Sequence, residues 1–216
     1  ALVRRMTGRA HDMTLHSFEL PIRDVVEYNE RLGNDMIYFS HVWHLGRREK
    51  QDEAGRLHYI DGTMKTRDSL KDITFPDRDL LRRRLDALCA CAQDKGFGVV
   101  FGAQMAGHVC ATAMGYQDFC IQLLEEPNFV RDFQKPLHEY ALAELEMALD
   151  YPVDVVRVGT GLITNAGPMI APELLETFDV AYIRELIALA RSRKRIIMMH
   201  VDGVVGPLIP SLLEMG

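Results

Sequence analysis

The sequence has no apolar run approaching the roughly 20 residues that a helix needs to cross a bilayer, so no membrane span is expected. It has little cysteine. Cys89, Cys91, Cys110 and Cys120 are the only four in 216 residues, too few for a disulfide framework. With no secretion signal in view, they read as reduced thiols serving as small core residues in a cytoplasmic protein. Basic residues are not in surplus either. The formal charge is −6, whereas a duplex nucleic-acid binder needs a basic face to neutralise phosphates, which argues against that class. There is no G-x-G-x-x-G turn. Gly159-Thr160-Gly161 lacks the third glycine and lies well ahead of the next helix, so a phosphate cradle is not expected there. Internal repeats and low-complexity tracts are absent as well.

What remains is the balance of a folded globular chain, 48% hydrophobic and 26% charged, suited to one domain over residues 1–216. The first residue is Ala1, and Gly216 follows directly on an amphipathic stretch, which reads as a segment of a longer protein. Apolar periodicity predicts helices over 21–32, 77–95, 127–149, 172–193 and 206–215, with one or two short helices over 107–124. Pro136 should kink or split the third of these long helices. Short apolar runs predict strands over 35–40, 97–103, 153–158 and 195–201. The charged, turn-rich stretch 46–72 reads as a hairpin excursion, with turns at Glu53–Gly55 and Asp61–Gly62 around a short strand, His58–Ile60. Strand and helix alternate throughout. That pattern calls for parallel strands joined by right-handed crossovers, an α/β fold. Four strands make only part of an eight-stranded barrel.

In such folds ligands bind where strands end. The first strand delivers Ser40, His41, Trp43 and His44, and the second Gln104 and His108. The third delivers Arg157, Gly159, Thr160 and Asn165, and the fourth His200 and Asp202. His200 and Asp202 are two apart and should share a face, as an acid/base couple or as two metal ligands. His41 and His44, flanking Trp43, could shape a pocket, and His108 could join them. His11, His16, His58 and His138 read as solvated or packing residues.

An ordered set of motifs runs through the chain. LGNDMIYFS, ITFPD and GYQDFCIQLLEEPNFVRDF come first. Then VDVVRVGTGLITNAGPMIAPELLETFDVAYIRELI leads to IIMMHVDGVVGPLIPSLLEMG. From about Leu32 onward the chain resembles the uroporphyrinogen decarboxylase superfamily. The resemblance implies a (β/α)8 TIM-barrel-type fold, incomplete in this chain, with its site at the barrel mouth. It also implies a small-molecule substrate and allows a homodimer. Two activities follow from it. One is methyl transfer to or from a corrinoid protein, a thiol or tetrahydrofolate, often with zinc held by H-x-C and a later cysteine. The other is cofactor-free decarboxylation of uroporphyrinogen in porphyrin biosynthesis. Methyl transfer is the preferred reading, but the departures divide: the missing aspartate tells against decarboxylation, the missing cysteine leaves the methyltransferase zinc pattern incomplete, and all three together favour a barrel that has lost its chemistry. His41 follows Phe39-Ser40 where the decarboxylase has an aspartate, Asp202 stands at the cysteine position, and Ala171 replaces a serine before Pro172. The implied catalytic set is His200, Asp202 and His41, with His200 and Asp202 able to take zinc. Trp43, His44, His108, Asn165 and Tyr182 would line the substrate. A binding barrel that has lost its chemistry is the third reading.

Overall fold

A computed structural model of the chain describes residues 2–9, 16 and 18–215. Helices α1 (Leu2–Thr7) and α2 (Ile22–Leu32) precede strand β1 (Met36–Phe39). Strands β2 (Arg47–Gln51) and β3 (Leu57–Gly62) form an antiparallel hairpin, followed by a 3-10 turn, Arg67–Asp72. Helix α3 (Arg78–Lys95) leads to β4 (Gly98–Gly102), and α4 (Ala106–Met114), α5 (Tyr116–Glu125) and α6 (Pro127–Ala148) lead to β5 (Val155–Thr160). A small hairpin, β6 (Ile163–Thr164) and β7 (Gly167–Pro168), precedes α7 (Pro172–Leu175), a π-helical turn (Glu176–Val180) and α8 (Ala181–Ser192). Strand β8 (Ile196–Val201), a 3-10 turn and α9 (Ile209–Glu214) complete the described chain.

Strands β1, β4, β5 and β8 form one parallel sheet in that order, each paired with its sequence neighbour among the four. This is the arc of an α/β barrel, with each crossover carrying helices to one side. Helices α2, α3 and α8 pack on that side and α6 bridges α3 and α8. Period-two alternation sorts every strand residue. Ile37, Phe39, Val99, Phe101, Val156 and Val158 point under the helices and are buried. Their neighbours Tyr38, Gly102, Arg157, Met198 and His200 point to the opposite, open face, as the register requires. Tyr38, Ile196 and Met198 are exposed there, and β8 is an edge strand.

The local signals explain most boundaries. Asp77 caps α3, its carboxylate accepting the Asp79 N–H at 2.8 Å, and Gly96 ends that helix in the left-handed region. Gly115 separates α4 from α5. Three expectations need correction. Of the two outcomes expected at Pro136, a kink or a split, the split does not occur: α6 runs unbroken from Pro127 to Ala148. Its apolar stripe, Phe129, Val130, Phe133, Leu137, Ala141 and Leu145, is buried on both sides of the proline and holds the helix together. Asp61–Gly62 closes β3 instead of turning, because the Asp61 carboxylate is taken by the Gly62 N–H and by Lys65, both at 2.8 Å. The third barrel strand is also later than expected, at Val155–Thr160.

Candidate functional site

The carboxyl end of β5 is the centre of the open face. Gly159 and Gly161 share that face and leave it bare for their neighbours. A Cβ on Gly159 would lie 2.3 Å from the His200 carbonyl oxygen, and one on Gly161 only 2.0 Å from His108 Nδ1. The glycine pair therefore makes room for two histidine-bearing segments, one from β8 and one from α4. His200 is half-exposed and its Nε2 lies 3.2 Å from Asp202 Oδ2, the shared face that their spacing predicts. The carboxylate orients the ring and leaves Nδ1 to take or give a proton. His108 packs between Gly161 and Tyr116, whose hydroxyl is 3.5 Å from Nδ1. Burial holds the His108 pKa below its ordinary value, and the nearby Arg47 guanidinium adds to this. Asn165 is exposed on the β6–β7 hairpin beside the Gly203 turn, whose following residue Val204 donates to the Thr164 carbonyl at 3.0 Å.

His41 and Trp43 lie elsewhere. The His41 side chain shares the parity of Ile37 and Phe39, so it points under the helices, 3% exposed. There its Nδ1 bonds Glu144 of α6, and Trp43 Nε1 donates to the other oxygen of the same carboxylate at 3.1 Å. Expectation placed His41 at the barrel mouth; strand alternation puts it in a buried His–Glu–Trp cluster instead. Tyr182 is also removed from the open face, its ring packed on His138 at 4.6 Å between α8 and α6. His138 is buried against Glu185 and His58 is paired with Asp52, as packing and surface residues should be, while His11 lies outside the described residues. His44 is exposed and borders a cavity of about 620 Å³ with Trp43, Met64, Ser69 and Phe75. That cavity lies beside the His–Glu–Trp cluster and none of His108, His200 and Asp202 lines it. His200, Asp202 and His108 lie instead at the carboxyl ends of β5 and β8.

Sequence reasoning left three polar groups without a role. Arg157 sits mid-strand on the open face and donates to the Tyr38 hydroxyl at 3.0 Å. A lone charge inside an otherwise apolar strand was the signal for it. Glu144 and Asp179 are buried carboxyls on helices, and helical pattern alone does not mark which acidic residue turns inward.

A structural or catalytic zinc site takes at least three protein ligands. His200 and Asp202 supply two, and among the described residues no three His, Cys, Asp or Glu side chains gather to hold a metal ion. The described residues therefore do not complete a zinc site. Among them no helix is long and apolar enough to cross a membrane.

No protein-family profile matches the sequence, and no curated protein matches it. Solved structures do. A methyltransferase from Methanosarcina mazei superposes with a TM-score of 0.73 at 13% identity, covering 99% of this chain and 65% of its own. A xylose isomerase-like TIM barrel protein from Mycobacterium smegmatis, in complex with magnesium, gives a TM-score of 0.42 at 12% identity over 93% of this chain. This chain thus spans about two thirds of the length of the methyltransferase it matches. The described residues have the α/β fold of an incomplete TIM-type barrel.

Proposed function

We propose that this chain is the methyltransferase-like part of a barrel enzyme, acting on a small molecule at the carboxyl end of β5 and β8. The observation that carries the reading is the His200–Asp202 couple, held 3.2 Å apart at the end of β8 and turned to the open face. The fold shared with a methyltransferase supports the class of reaction. Methyl transfer to a thiol breaks the bond between the donor and the methyl carbon, leaves that electron pair on the donor, forms a carbon–sulfur bond and releases the thiol proton. His200 Nδ1 accepts that proton, and Asp202 steadies the imidazolium that results. His108, kept neutral by burial, borders the same strand end and contributes a hydrogen-bonding ring. The methyl donor in this reading is a corrinoid protein, with a thiol or tetrahydrofolate on the other side. Zinc would need a third ligand from outside the described residues, and no step is derived through it. Decarboxylation of uroporphyrinogen required His41 in the place of an aspartate, and a His41 sealed against Glu144 offers nothing to a substrate.

The test is transfer of a methyl group from methylcobalamin to a thiol, with His200→Ala and Asp202→Asn beside the parent. Turnover that falls roughly 100-fold or more in His200→Ala supports the reading. Turnover unchanged in both variants removes the couple from the mechanism. Small-molecule binding without turnover would identify a barrel that binds and does not react.

A further inference from the structure

One buried carboxyl has no part in the chemistry above. Asp179 lies in the π-helical turn between α7 and α8 and is fully buried. A single π-helical turn inserted between α-helical segments is a recurrent feature of functional sites, because it re-aims one side chain without breaking the helix. Here the side chain it aims reaches two elements of the candidate site. On β5 it meets Thr160, whose hydroxyl faces it and pulls its pKa downward against the effect of burial. On α4 it meets Gly107, where a Cβ would lie 2.2 Å from Asp179 Oδ1. Gly107 belongs to the first turn of α4, whose N–H groups have no helical partner and whose N-cap, Met105, supplies no side-chain bond. The next residues along are the pair already described. Gly161 follows Thr160, His108 follows Gly107, and the His108 ring lies against Gly161. Neither Asp179 oxygen has a hydrogen bond of ordinary geometry. From α6 the neighbouring polar group is the neutral Gln134 amide, which donates to the Phe178 carbonyl at 2.8 Å. No ionised group contributes to the Asp179 shift, which burial raises and Thr160 lowers.

We infer that Asp179 is the positioning residue for His108: wedged between Thr160 and Gly107, it fixes the distance between the end of β5 and the first turn of α4, and so holds the imidazole on Gly161. The inference rests on the reading of His108 as a site residue. It concerns placement, so a protein without methyl-transfer activity tests it equally well.

The reporter is the titration of the His108 ring, followed by NMR of its Cε1 proton in the full 216-residue chain. Its midpoint lies below the ordinary 6.5 because the ring is buried. Gly161→Ala is the positive control, since its Cβ must displace the ring. Asp179→Ala should loosen α4 from β5, admit water to His108 and move the midpoint up toward 6.5. Asp179→Asn keeps the wedge and should leave the midpoint near that of the parent. A midpoint that moves in Gly161→Ala but not in Asp179→Ala overturns the inference, as does an equal shift in Asp179→Asn and Asp179→Ala. Should Asp179→Ala fail to fold, Gly107→Ala and Thr160→Val disturb the same contact from either side. A His108 resonance unmoved by both would be equally decisive against it.

Discussion

His41 and His200 both end strands of one sheet, yet only His200 reaches the open face. Their fates follow from which neighbours they alternate with. His41 falls in step with Ile37 and Phe39, His200 with Ile196 and Met198. The period-two rule that pairs His200 with Asp202 would have sent His41 inward, had it been applied to the first strand. Glu144 is the cost of that inward turn, a carboxylate 2% exposed that is stabilised by His41 and Trp43 together. Asp179 is a different kind of buried acid, because neither of its oxygens has a hydrogen bond of ordinary geometry. Burial raises its pKa to about 7 from 3.8. The native state therefore binds a proton that the unfolded chain has already lost, and stability falls as pH rises from about 4 to 7. The difference amounts to roughly 4 kcal/mol above pH 7. His108 works in the opposite sense. Its pKa is lowered, so its contribution is present above 6.5 and is lost as pH falls below that value. Comparing Asp179→Asn with the parent cancels the His108 contribution. Urea unfolding at pH 4, 6 and 8 should show Asp179→Asn gaining on the parent with each step. A constant difference across that range would mean that Asp179 does not change its charge there.

At the scale of elements, much was legible because local chemistry and tertiary packing agree. Asp77 and Gly96 bracket α3, Gly33 ends α2 in the left-handed region, and the four sheet strands are short apolar runs. Strands β2 and β3 pair as a hairpin that packs on α4. The small β6–β7 hairpin was not legible, since two residues a side carry no periodicity. Nor was the π-helical turn, which differs from its flanking helices by one hydrogen-bond step and leaves the apolar stripe intact. Pro136 marks the limit of local rules. Proline inside a helix removes one N–H and disfavours the helix by about 3 kcal/mol relative to alanine. Burial of five large apolar side chains along α6, Phe129, Val130, Phe133, Leu137 and Leu145, at roughly 1.5–3 kcal/mol each, outweighs it. Pro136→Ala should accordingly stabilise the protein by about 1–3 kcal/mol. Thermal unfolding of the variant measures this. A lower melting temperature would show instead that the missing hydrogen bond gives α6 a bend on which its packing depends.

For the whole molecule, helices pack on one face of the sheet. The helix side is a continuous core from Phe18 to Leu208, while the open side presents Tyr38, Met198 and Ile196, the last 66% exposed. Helix α9 also exposes Ile209 and Leu213, four residues apart on one face. Strand β8 adds a row of unpaired backbone groups at the same edge, and flat apolar edges are templates for further strands. We propose that this β8 edge is where a second copy of the chain would pair. A lysine on an edge strand opposes such pairing at little cost when its position is already exposed. Ile196→Lys meets that condition, and Leu213→Lys tests whether α9 belongs to the same surface. Sedimentation velocity over a range of concentrations should show the parent associating and Ile196→Lys shifted toward monomer, with their melting temperatures close. An association constant that Ile196→Lys leaves unchanged would place the contact elsewhere and leave the β8 edge without a role in it.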